Sequence, residues 1–347
     1  MLAVRAARFG GDDPLANLEL VDVPDPAPAP GDALVAVAAA SLNHHDLWTL
    51  RGVGSRALTE PQVLGCDAAG TVLAYGGEPP GDAPPVGARV VVHSVMSCGR
   101  CAACLTGEQL RCRHAGLLSE PPYPGTLADR LAVPARNLVP LPDSVDLVAA
   151  ACLPTAYLTA YRMLFVRGGA QPGQRVLVQG ATGGVASASI LLGVAAGLTM
   201  YATSRDEAKR AAALEMGAAA AFATDRAGLK EATAASGGGM DVVIETVGEA
   251  TWDFSLRVLR PGGTVVVSGN TSGPNPPAQL NRVFWRQLTI AGSTMGTRAE
   301  LARLVELCAS RRLTPLVDSV RPLTEAAAAF AALAGGDIRG KLVLQPA

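Results

Sequence analysis

Little in this chain is aromatic or charged. Phe, Trp and Tyr make up 4% of its 347 residues and Asp, Glu, Lys and Arg 17%, against 49% hydrophobic residues. That balance excludes a disordered polyelectrolyte and describes an Ala/Gly/Val-rich α/β protein. A formal net charge of −1 leaves no electrostatic footprint for nucleic acid or an anionic membrane, so the expected partner is a small molecule. The opening Met1-Leu-Ala-Val-Arg-Ala-Ala-Arg8 has no long apolar segment behind its basic residues, so no secretory leader is expected and the location expected is cytoplasmic. Between Arg175 and Arg205 there is no charge at all, yet Gly180, Gly183, Gly184, Gly193 and Gly197 cut the stretch into strand, turn, helix and strand rather than a membrane span. With seven cysteines and no secretion signal, a disulfide framework is also excluded.

What the chain does have is Val176-Leu-Val-Gln-Gly-Ala-Thr-Gly-Gly-Val-Ala186, an apolar strand running into a glycine-rich turn and then a helix from about Ser187. A second strand, Leu198-Thr-Met-Tyr-Ala-Thr203, follows at βαβ spacing. Glycines let a backbone approach a pyrophosphate, and the free N–H groups and dipole of the helix favour its charge. Gly180, Thr182, Gly183, Gly184 and Val185 are therefore candidate dinucleotide-binding residues.

Four cysteines fall in Cys98-Gly-Arg-Cys-Ala-Ala-Cys-Leu-Thr-Gly-Glu-Gln-Leu-Arg-Cys112. Cys98, Cys101, Cys104 and Cys112 supply four thiolates for one tetrahedral Zn²⁺ with no open position, which makes the site structural. An iron–sulfur cluster also takes four thiolates and stays as an alternative, as does no metal. A polar knot, Ser41-Leu-Asn-His-His-Asp-Leu-Trp48, gathers Asn43, His44, His45, Asp46 and Trp48 on one turn and helix start.

At this length two domains are expected. Alternating strands and proline punctuation in the first 40 residues predict an antiparallel, barrel-like domain. Strand–helix alternation with Val-rich strands beyond Arg175, through Asp241-Val-Val-Ile-Glu-Thr-Val-Gly248 and Gly263-Thr-Val-Val-Val-Ser-Gly269, predicts a parallel sheet. The ending Gly340-Lys-Leu-Val-Leu-Gln345 is expected to return to the first domain. The fold class is α/β, with the barrel domain at 1–157 and 294–347, a metal lobe at 95–115, and the dinucleotide domain at 158–293.

The glycine turn, the four-cysteine lobe, Asn43-His-His-Asp46, Asp241–Gly248, Arg260-Pro-Gly-Gly263 and Gly340–Leu344 together resemble the medium-chain dehydrogenase/reductase superfamily over essentially the whole chain. The nearest likeness is to its zinc-containing alcohol dehydrogenase and quinone oxidoreductase branches. The resemblance implies a GroES-like catalytic domain, an inserted Rossmann domain with a doubly wound parallel sheet, nicotinamide hydride transfer, and a homodimer formed through the strand at Leu288–Ser293. It also implies that Thr159 and Val185 lie near the nicotinamide, that Val247, Gly269 and Asn270 line its carboxamide side, and that His44 and Arg339 reach the pyrophosphate. Relatives with a catalytic zinc use a Cys, a His and a Cys or acid where this chain has Asn43, Cys66 and Thr155. Asn and Thr are poor complements to one thiolate, so no catalytic metal is expected; an improvised site from Cys66, Asp67 and His45 is the alternative.

At the end of the second Rossmann strand an acid would bind the ribose diol of NAD. Here the residues are Ser204 and Arg205, with Lys209 beyond, a set suited to the 2′-phosphate of NADP. A solvated helix face is the bland alternative for the two cations. Asp206 is expected to start the following helix. The function expected is NADPH-dependent hydride transfer to an enone, enal or quinone held among Asn43, Trp48, Cys66 and Thr155, with His45, Asp46 or a hydroxyl supplying the proton. A zinc alcohol dehydrogenase with atypical ligands and a non-catalytic NADPH-binding protein are the competing readings.

Overall fold

The computed structural model describes residues 1–54 and 61–346. Its contacts divide the chain into two units, Met1–Leu158 with Met295–Ala347, and Thr159–Thr294.

The first unit is built on strands β1 (Leu2–Ala6), β2 (Leu18–Asp22), β3 (Asp32–Ser41), β4 (Gln62–Val63), β5 (Asp67–Tyr75), β6 (Arg89–Val92), β7 (Val95–Met96), β8 (Gly116–Leu117), β9 (Arg130–Pro134) and β10 (Leu138–Pro140). β1 pairs antiparallel with β2 and β4, and β7 with β8. The main sheet runs β10-β6-β5-β3 and is extended by two strands from the end of the chain, with β9 pairing the first half of β3 on the flank away from β5. Along β3 buried and half-buried residues alternate, the period-2 pattern of a strand with one face on a core. That core collects Val35, Val37, Leu64, Cys66, Val90, Leu127, Leu131 and Phe330.

The second unit has six parallel strands, β11 (Arg175–Gln179), β12 (Thr199–Thr203), β13 (Ala220–Phe222), β14 (Met240–Glu245), β15 (Leu259–Val267) and β16 (Thr289–Gly292), in the order β13-β12-β11-β14-β15-β16. Every residue of β14 is buried, as a central parallel strand requires, and the glycine turn's strand β11 is its neighbour. The order reverses between β11 and β14, which is where a doubly wound sheet opens a crevice at its strand ends. The helix Gly184–Ala195 lies close on β12, because a Cβ on Gly193 would come within 2.2 Å of the Met200 sulfur.

The chain then re-enters the first unit through the helix Arg298–Arg311, β17 (Val317–Pro322), the helix Ala326–Gly335 and β18 (Lys341–Gln345). β18 pairs antiparallel with β3, Val343 opposite Ser41, which carries Lys341 to the polar knot. No helix is long and apolar enough to cross a membrane among the described residues.

Candidate active site and dinucleotide site

In the first unit the polar knot is organised by Asp67, the first residue of β5, which stands opposite Ser41 at the end of β3 and is fully buried. Asp67 Oδ2 accepts from Asn43 Nδ2 at 2.8 Å and Ser41 Oγ at 3.0 Å. Oδ1 accepts from Thr155 Oγ1 at 2.6 Å and Ser94 Oγ at 3.2 Å. The Lys341 ammonium, with its side chain 3% exposed, lies 3.6 Å from Oδ2 and donates to Asn43 Oδ1 at 2.5 Å and Leu42 O at 2.6 Å. Cys66 Sγ sits 3.5 Å from both Asn43 Nδ2 and Thr155 Oγ1. Burial first, and then the charges of Asp67 and Asp46, push its thiol well above the ordinary range.

A catalytic zinc does not fit this arrangement. Such an ion needs a thiolate and oxygen lone pairs directed at it. Thr155 and Asn43 are poor zinc ligands that donate to Asp67, Asn43 Oδ1 accepts from Lys341, and the Lys341 ammonium already places a positive charge there. The improvised alternative also disperses, since Asp67 is saturated and His45 turns away to Ser119 Oγ, 3.2 Å from its Nε2.

His45 is half-buried, while His44 and Trp48 are exposed, their rings 6.4 Å apart. Asp46 departs from expectation. It is fully buried, its two oxygens accept Asn43 N–H at 2.8 Å and Gly65 N–H at 3.1 Å, and burial pushes its carboxyl up. It therefore ties the helix His44–Leu50 to the turn before Cys66 and is placed to hold the knot rather than to hand a proton to a substrate.

The four lobe cysteines have their sulfurs within 4.8 Å of one another, with Cys98 and Cys104 3.9 Å apart and Cys101 and Cys104 3.6 Å apart. Thiolates at about 2.3 Å from a tetrahedral zinc stand about 3.8 Å apart, so the set fits that ion. Among the described residues this is the one group of three or more His, Cys, Asp or Glu side chains gathered closely enough to hold a metal.

In the second unit β11 runs into Gly180, whose φ of 108° is open to glycine alone, and the helix Gly184–Ala195 begins behind Gly183. No side chain caps that first turn, and a Cβ on Gly183 would meet nothing within 4 Å, so the helix end has room for an anion. Beyond β12, Asp206 caps the next helix by accepting Lys209 N–H at 3.2 Å, while its own N–H donates to Ser204 Oγ at 3.2 Å. Arg205 is exposed and Lys209 half-buried. Arg210, which sequence reasoning overlooked, donates to the carbonyls of Ser204 at 2.8 Å and Arg205 at 3.2 Å and so sets the course of that loop. Val185 and Val247 are half-buried, Thr159 and Thr182 buried, and Asn270 exposed beside Gly269. Arg339 belongs to the first unit, where its N–H donates to Asp318 at 2.9 Å.

Residues 29–143 match the model of the alcohol dehydrogenase GroES-like domain and residues 184–310 that of the zinc-binding dehydrogenases. An acryloyl-coenzyme A reductase of Metallosphaera sedula is 30% identical over 94% of this chain and 96% of its own length. The chain belongs to the medium-chain dehydrogenase/reductase superfamily. Within that superfamily it is a zinc-type alcohol dehydrogenase-like member, and the class of chemistry that follows is oxidoreduction. A solved structure described as an NAD-dependent alcohol dehydrogenase is 35% identical, with a TM-score of 0.91 and 99% of both chains covered. The spectinabilin polyketide synthase system protein NorB of Streptomyces orinoci is 32% identical over 98% of this chain, which spans 14% of that protein's length.

Of the residues that make the knot, Ser94 and Lys341 were not singled out from the sequence. The signal for Lys341 was its place as the lone charge in the apolar strand Lys341-Leu-Val-Leu.

Proposed function

We propose that this chain is an NADPH-dependent reductase that adds hydride to an activated C=C bond or a quinone without a catalytic zinc. The observation that carries the reading is the ion pair of Lys341 with Asp67, together with the Asn43 and Thr155 hydrogen bonds, where relatives in the resemblance hold a metal. Ser204 and Arg205, with no acid at the strand end, support NADP, and the open first turn at Gly183–Val185 supports its pyrophosphate. NADPH, when bound, supplies the hydride. Likeness to an acryloyl-coenzyme A reductase favours a conjugated carbonyl or thioester as the acceptor.

The chain's own groups then have distinct tasks. Lys341, held between the Asn43 amide oxygen and Asp67, supplies a fixed positive charge toward oxygen that gains charge as a C=C bond is reduced. Cys66 and Thr155 form an uncharged wall beside it. His45, held by Ser119 and half-buried, supplies the proton. The four-cysteine lobe holds one structural zinc. Exposed Leu280, Phe284, Trp285 and Ile290 beside the edge strand β16 support a homodimer.

The test is metal content per chain, measured on protein purified with and without added zinc, together with NADPH oxidation across enones, quinones and unsaturated thioesters. One zinc in both preparations and turnover on an unsaturated acceptor are expected. Two zincs with chelator-sensitive alcohol oxidation would overturn the reading in favour of a zinc alcohol dehydrogenase, and cofactor binding without turnover would leave a non-catalytic binder.

A further inference from the structure

Glu245, the last residue of β14, is fully buried. Its Oε1 accepts the N–H groups of Val247 at 2.7 Å and Gly248 at 3.0 Å. Thr251 Oγ1 reaches both oxygens, at 3.0 and 2.9 Å, and Ser255 Oγ donates to Oε2 at 2.6 Å. All of these donors are neutral, and among the described residues no Lys, Arg or His pairs with the carboxylate.

The bonding does not stop at Ser255. Gln179 Nε2 donates to Ser255 Oγ at 2.9 Å, Thr203 Oγ1 donates to Gln179 Oε1 at 2.6 Å, and the N–H of Gly180 donates to Thr203 Oγ1 at 3.3 Å. Each link donates toward Glu245, so a one-way chain runs from the glycine turn to the carboxylate. It crosses the ends of β12, β11 and β14, the three strands around the topological switch point. A negative charge at one end polarises such a chain along its length and fixes the orientation of every member. Glu245 thus ties the glycine turn, which faces the pyrophosphate, to the loop Thr246–Gly248. In a doubly wound sheet that loop belongs to the second mononucleotide half, the nicotinamide half.

A nicotinamide ring gains a positive charge when it is oxidised. A buried anion without a counter-cation, placed on that side of the site, favours the oxidised ring over the reduced one. We propose that Glu245 is a positioning residue of the dinucleotide site whose charge also raises the affinity for the oxidised cofactor relative to the reduced one. The proposal rests on the reading of the second unit as the dinucleotide site.

The experiment uses the full chain and its Glu245→Gln variant. Dissociation constants for NADPH, from its fluorescence, and for NADP⁺, by displacement, are measured on the same preparation, so that any unfolded fraction cancels in their ratio. The ratio of the NADP⁺ constant to the NADPH constant is expected to rise roughly three- to tenfold in Glu245→Gln. Thr203→Val, which cuts the chain and leaves the charge, is expected to weaken both forms by the same factor. An unchanged ratio in Glu245→Gln, or an equal change in Thr203→Val, overturns the proposal. If the wild-type chain binds NAD⁺ and NADH instead, the ratio is read on that pair and only the 2′-phosphate reading falls. If it binds neither pair, both readings fall.

Discussion

Asp67 and Glu245 are both fully buried carboxylates at a strand end, one in each unit, and they are stabilised in opposite ways. Asp67 has an ammonium 3.6 Å away besides its neutral donors, whereas among the described residues Glu245 has backbone N–H groups and hydroxyls alone. The first arrangement cancels charge locally. The second leaves its charge uncancelled and exports it along hydrogen bonds. The difference teaches that burial of an acid says little about its role until its partners are known.

The sharpest way to break this contrast is Lys341→Met. It strands a buried charge on Asp67 and is expected to cost about 3 to 5 kcal/mol in urea unfolding. Asp67→Asn combined with Lys341→Met is expected to recover much of that loss, and a double variant no more stable than the single one would show that the pair is not the source of the cost. A smaller effect is expected from acid. Burial, with Arg298 adding to it, holds His93 down from 6.5 to about 4, against a hydrogen bond to Gly296 O that favours the charged ring. Because the folded value is the lower one, its stabilisation is complete above pH 6.5 and is lost as pH falls toward 4, up to about 3 kcal/mol. His93→Gln is expected to flatten that part of a stability-against-pH curve, and an unchanged slope would assign the acid limb to other groups. The smallest expected change comes from Ser255→Ala, which removes one of the donors to Glu245 and is expected to cost about 1 to 3 kcal/mol by thermal unfolding. A loss as large as that of Lys341→Met would mean that Glu245 depends on Ser255 as Asp67 depends on its cation.

How much of this was legible beforehand follows from distance along the chain. The glycine turn, the strands around it and the four-cysteine lobe are local patterns, because a dinucleotide turn and a closed metal knuckle need particular residue types a few positions apart. Asn43, Cys66 and Thr155 could be singled out as the places where metal ligands were missing. The Lys341 contact could not be read, since Lys341 lies 298 positions from Asn43 and meets it only because β18 pairs with β3. Asp46 shows the same effect: its Gly65 partner, 19 positions away, makes it a tie between two turns.

The sequence by itself determined the α/β class, the glycine turn and the four-cysteine spacing, because spacing and residue chemistry are properties of short stretches. Tertiary structure alone decided that Lys341 lies beside Asp67 while, among the described residues, Glu245 has no counter-cation. Charge compensation depends on which strand ends are brought within a few ångströms of one another, and only strand pairing settles that.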